Sequence, residues 1–81
     1  MAVPFENKWQ EFLKRLWDVT DGLTKTHVKI EAVVAPLQFD AAMTGRVVGY
    51  LRDKGFIENG RDDMVALTAV GIDALQTARL I

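Results

Sequence analysis

The chain has no cysteine, which excludes a disulfide framework and a thiolate metal site. It has one histidine, His27, with no second imidazole or thiol to complete a metal site and no sign of a nucleophile beside it. No apolar run approaches the roughly 20 residues that span a bilayer. The opening Met1-Ala2-Val3-Pro4-Phe5-Glu6 lacks the basic and then apolar character of a signal peptide, so the expected location is the cytoplasm. There is no internal repeat, low-complexity tract or linker. Neither sign of charge dominates: ten Lys and Arg stand against eleven Asp and Glu, a net charge of −1. A nucleic-acid contact face is ordinarily basic, and this overall balance does not announce one.

What is present suits one folded domain spanning residues 1–81. Hydrophobic residues are 49% and charged residues 26%, which argues against disorder. A core of this size supports a stability on the order of 5 kcal/mol. Charge is unevenly distributed. Residues 24–61 carry six bases (Lys25, Lys29, Arg46, Arg52, Lys54, Arg61) against four acids, whereas both ends of the chain are net acidic.

Phe5, Trp9, Phe12, Leu13 and Leu16 recur at helical spacing and predict an amphipathic helix from about Pro4 to Val19. Pro4 suits its first turn and Asp21-Gly22 its end. Leu23-Thr24 reads as a very short strand. A second helix is expected from His27 to about Ala35, with Thr26 as N-cap and His27 in the first turn. Ile30, Val33, Val34 and Leu37 form its apolar stripe, and Pro36 ends it. Leu37-Gln38-Phe39-Asp40 reads as a tight turn, with Asp40 capping a third helix that runs through Lys54 and stops at Gly55. At 100° per residue, Thr44, Val47, Val48 and Leu51 face the core, while Ala42, Gly45, Arg46, Gly49 and Asp53 face outward. Phe56-Ile57-Glu58 and Met64-Val65-Ala66-Leu67 are β-type runs. Between them lies Asn59-Gly60-Arg61-Asp62-Asp63, and the Asn-Gly pair, both of whose residues tolerate positive φ, predicts a hairpin. Thr68 caps a last helix from Ala69 to about Arg79, with Ile72, Leu75 and Ala78 inward.

Two of these segments resemble a known family. Leu51-Arg52-Asp53-Lys54-Gly55-Phe56-Ile57-Glu58 resembles the end of the recognition helix and the first wing strand of winged helix-turn-helix regulators. Val65-Ala66-Leu67-Thr68-Ala69-Val70-Gly71 resembles the second wing strand and the capped helix after it, the Leu-Thr-x-x-Gly pattern of MarR-like repressors. The resemblance covers roughly residues 26–75. It implies an α+β winged helix: a three-helix core, a β-hairpin wing and a C-terminal helix. It further implies a DNA-binding transcriptional regulator, a homodimer, with helix 40–54 in the major groove and hairpin 56–67 as wing. Carried over by position, Ala41, Ala42, Gly45, Arg46 and Gly49 face the groove and Arg61 sits at the wing tip. Lys25, Lys29, Tyr50, Arg52 and Lys54 stand near phosphates.

A different class of function competes with this one: a winged helix that binds protein and never touches DNA. Only Arg46 among the groove-facing residues has a side chain that reads base edges. Asp62 and Asp63 beside Arg61 repel phosphate, and the isoelectric point is near 5.7. An enzyme is the remote third choice, since no nucleophile–base pair or metal constellation is visible, and no cofactor is implied. Asp62-Asp63 otherwise reads as solvated turn residues. Trp9 and Trp17 read as core or interface, with Trp17, at the stripe's edge, a candidate subunit contact. Tyr50 either bonds a phosphate or covers the core. Gly45 and Gly49 each cost roughly 0.5–1 kcal/mol in a helix interior. Either they are merely exposed, or a partner helix or a phosphate backbone approaches closely there.

Overall fold

The computed structural model describes residues 5–81, with side chains from Lys8 onward. The expectations placed on Pro4 and on the Phe5 side chain lie outside the described residues. Among the described residues the chain forms an α+β arrangement of four helices and a three-stranded antiparallel sheet, in the order α1 (Phe5–Thr20), β1 (Val28–Lys29), α2 (Ile30–Val34), α3 (Ala41–Asp53), β2 (Ile57–Asn59), β3 (Met64–Leu67) and α4 (Ala69–Thr77). The strand order across the sheet is β1-β3-β2.

The apolar stripe of α1 supplies the centre of the core: Phe12, Leu13 and Leu16 are fully buried. Val33, Val47, Leu51, Val65, Leu67 and Leu75 join them from the other elements, each without exposed surface. Burying one such side chain contributes about 1.5–3 kcal/mol. The chain leaves α1 through two left-handed residues, Asp21 (φ 59°) and Gly22 (φ 76°). The Gly22 N–H donates to the Trp17 carbonyl at 2.9 Å. A Cβ on Gly22 would press on the Trp17 ring at 3.0–3.2 Å, so glycine serves both the backbone and the packing here.

The second helix is shorter than the sequence suggests. It begins at Ile30, with Lys29 at the N-cap and no side-chain cap bond, so neither Thr26 nor His27 belongs to it. Val28 and Lys29 instead form a strand, paired with Val65 and Met64 of β3. A β-branched valine favours the pleated conformation, and the pairing covers an edge of β3 that would otherwise stay open. Leu23-Thr24 is a turn and not a strand. The chain reverses at Lys25 (φ 65°), whose N–H donates to the Leu67 carbonyl at 3.2 Å. Extended pairing therefore starts later than expected.

α3 and α4 follow their caps. The Asp40 carboxylate accepts from the Met43 N–H at 2.7 Å, and Gly55 (φ 78°) terminates α3. The Thr68 hydroxyl accepts from the Gly71 N–H at 3.0 Å and donates to the Gly55 carbonyl at 2.6 Å. One side chain thus starts α4 and fastens it to the exit of α3. A Cβ on Gly71 would collide with the Phe56 carbonyl oxygen, so the glycine lets α4 lie against the backbone leading into β2. α4 ends at Thr77, with Arg79 left-handed (φ 62°) after it.

The hairpin forms between the two β-type runs, as the sequence predicts. Asn59 is still in the ladder, paired with Val65. The left-handed residues are Asp62 (φ 52°) and Asp63 (φ 62°), not Asn59 and Gly60. The Met64 N–H donates to the Arg61 carbonyl at 3.0 Å across them. Two central residues of positive φ under such a bond match a type I′ turn, for which Asp is among the tolerated residues. A Cβ on Gly60 would meet the ring of His27, an exposed side chain that can turn aside. His27 itself is exposed, just ahead of β1, with Nε2 3.8 Å from a Glu58 carboxylate oxygen. No helix among the described residues is long and apolar enough to cross a membrane.

Candidate nucleic-acid interface

α3 is two-sided. Val47, Val48 and Leu51 are buried and Thr44 is half-buried, as the periodicity predicts. The opposite side carries Ala41, Ala42, Gly45, Arg46 and Asp53, all exposed, and Gly49, half-buried. A Cβ built on Gly45 or on Gly49 meets no atom within 4 Å. The outer surface of α3 is therefore low and uncovered, and Arg46 rises from it.

The other expected contacts lie around this face. Lys25 occupies the turn before β1 and Lys29 the strand itself, both exposed. Arg52 stands in the last turn of α3, where a cation complements the helix dipole. Arg61 opens the hairpin turn and is exposed. Lys54, at the C-cap, holds its ammonium 5.5 Å from the Tyr50 ring centroid. Tyr50 packs 5.7 Å from Trp9 at a 39° tilt, and Trp9 packs 5.5 Å from Phe56. The Tyr50 ring thus covers the core, one of the two roles its sequence position allowed. Trp17 is half-buried, with its ring against Gly22.

α1 carries two ion pairs, although its Arg15 has none among the described residues. On α1, Lys14 bridges Asp18 at 3.0 Å and Lys8 approaches Glu11 at 3.8 Å. Among the described residues, none of Lys25, Lys29, Arg46, Arg52, Lys54 and Arg61 has a carboxylate at ion-pair distance. Of these cations, Lys54 instead stands over an aromatic ring.

One feature has no counterpart in the sequence pattern, a cleft of about 530 Å³ between α2, the first turns of α3 and the hairpin turn. It brings Lys29 and Gly45 together with Ala41, Thr44, Asp62 and Asp63. Only tertiary packing makes these residues neighbours, so no local pattern could announce them. Among the described residues, no three His, Asp or Glu side chains gather in a way that would hold a metal ion. No protein-family model, curated protein or solved structure matches the chain, and the functional reading therefore rests on its own geometry.

Proposed function

We propose that this is a winged helix-turn-helix domain, similar to MarR-like regulators, that binds double-stranded DNA as a cytoplasmic transcriptional regulator. Helix α3 enters the major groove and the β2–β3 hairpin is the wing. The observation that carries the reading is the uncovered outer face of α3, with Arg46 on it and further cations around it that form no ion pair among the described residues. The order of helices and strands, with a turn between α2 and α3 and a hairpin before α4, supports it.

The chemistry follows from the side chains. Arg46 is long and carries a fork of donors that matches the O6 and N7 acceptors of guanine. Ala42, Gly45 and Gly49 keep the helix low, so its backbone can approach the sugar-phosphate chain. Lys25, Lys29, Arg52, Lys54 and Arg61 neutralise phosphates and release counterions. One base-reading side chain specifies few base pairs. The proposal therefore includes a homodimer, whose second α3 would read a half-site about 34 Å away.

An anisotropy titration of duplex DNA at about 50 and 200 mM salt tests the reading. Affinity should fall steeply with salt. Arg46→Ala should cost roughly 1–3 kcal/mol and blur sequence preference, Lys54→Ala should weaken all sequences alike, and Lys14→Ala on α1 should change neither. Absence of binding at the lower salt sinks the proposal. A protein–protein module is the second reading, favoured by Glu31, Asp62 and Asp63 on the cleft beside α3.

A further inference from the structure

We infer that Asn59 is a site of spontaneous deamidation, held off by the closed hairpin and released when β2 opens. The Asn59-Gly60 pair is not used for the left-handed positions of the turn, which belong to Asp62 and Asp63. Both residues of the pair are exposed, so water reaches them. Asparagine before glycine suits this reaction because no Cβ shields the attacking Gly60 nitrogen. That nitrogen forms a bond to Asn59 Cγ, the Cγ–Nδ2 bond breaks, and ammonia leaves with the Gly60 amide proton. Water then opens the cyclic imide at either carbonyl and yields aspartate or isoaspartate. The balance is one water consumed and one ammonia released, with no oxidant or reductant. The chain's other asparagine, Asn7, precedes Lys8, whose Cβ hinders the same attack.

The closed hairpin opposes the first step in two ways. The Gly60 N–H donates to the Met64 carbonyl at 2.7 Å, so the nitrogen that must lose its proton is engaged. Asn59 is a rung of the β2–β3 ladder opposite Val65, and ring closure has to rotate the Asn59–Gly60 peptide out of that ladder. Opening is a local event. β2 is a three-residue strand at the edge of the sheet, so it parts from β3 while the β1–β3 pairing stays. The products differ in what they leave behind. Isoaspartate routes the main chain through the former side-chain methylene, and the lengthened strand loses its register with Val65. Either product adds a negative charge two residues before Arg61. On the duplex reading of the hairpin as a wing, on which this clause alone rests, that charge repels phosphate and lowers affinity.

The test is a timed incubation of the full chain at mildly alkaline pH, in buffer and in denaturing guanidinium chloride. Trypsin then releases residues 55–61, a peptide whose single carboxamide side chain is that of Asn59, for mass spectrometry. Conversion of amide to acid should be at least about tenfold slower in buffer than in denaturant, a suppression equal to about 1.4 kcal/mol of opening free energy. Leu67→Ala loosens β3 where it pairs with Ile57 of β2, and should convert faster than the wild type in buffer. Graded denaturant below the unfolding midpoint should speed the wild type progressively, which keeps the test open if Leu67→Ala fails to fold. Asn59→Gln should stay unconverted over the same period. A peptide that gains no mass in denaturant overturns the site. Equal rates in buffer and denaturant, or no acceleration in either Leu67→Ala or graded denaturant, overturns the control by the hairpin. No DNA is present, so failure of duplex binding leaves this result intact, and failure here leaves the duplex titration intact.

Discussion

α1 and α3 both bury one face in the same core, yet they treat the other face differently. On α1 two pairs form, Lys8 with Glu11 and Lys14 with Asp18, while Arg15 has no ion pair among the described residues and its buried Nε no hydrogen-bond partner. On α3 the solvent side carries an unpaired Arg46 among alanine and glycine, with nothing over the glycines. Surface ion pairs such as those of α1 contribute little to stability, about 0–1 kcal/mol each. The unpaired cations and low profile of α3 mark a surface with capacity left over, and that capacity is the basis for assigning binding to α3.

The comparison requires that the buried faces of α1 and α3 belong to one core, and the largest expected effect tests this. Leu51 of α3 and Leu67 of β3 have no exposed surface. Leu51→Ala or Leu67→Ala should each cost about 2–5 kcal/mol, most of the stability of so small a domain. Thermal melting or urea titration measures it. A wild-type midpoint for Leu51→Ala would mean that α3 does not turn its valine and leucine side inward, and the assignment of its outer face would fall with it.

How much of this was legible in the sequence depends on how local the physical cause is. The caps at Asp40 and Thr68 act within a few residues, on Met43 and Gly71, and both were readable. The outer face of α3 was readable because helical periodicity alone decides it. The strand at Val28–Lys29 was not. The same residues continue a helical pattern until β3 folds back and offers them an edge. The hairpin between Glu58 and Met64 was legible, but which residues of its connection take the left-handed positions was not. The left-handed positions fall to Asp62 and Asp63 instead. The cleft, assembled from three elements, had no local signature at all.

Glycines sharpen the comparison at the next level of energy. Gly71 in α4 lies against the Phe56 carbonyl, whereas Gly45 and Gly49 in α3 lie against nothing. Alanine has the higher helix propensity at all three positions, so any difference in outcome reports packing. Gly71→Ala should destabilise by about 1–3 kcal/mol, because the obstacle is a backbone atom that cannot swing aside. A melting temperature at or above the wild type would show that α4 does not approach Phe56 so closely.

The smallest expected effect is on the other side of that contrast, and it bears on function. Gly45→Ala and Gly49→Ala should each stabilise the free protein by up to about 1 kcal/mol, since the added methyl enters open space and restricts the unfolded chain. That gain in the free protein is the control. The informative quantity is duplex affinity in the same variants. If the helix backbone packs against DNA at these positions, the added methyl groups should lower affinity while stability rises. Gly45→Arg sharpens the point by adding a cation: it should preserve or raise affinity if a phosphate lies near, even though its bulk fills the low face. If instead a second protein helix packs on this surface, Gly49→Leu should abolish self-association by sedimentation and leave the melting temperature of the monomer unchanged. Stability that rises without any change in duplex affinity or self-association would show that the glycines of α3 face only water. The difference between α1 and α3 would then reduce to charge pairing alone.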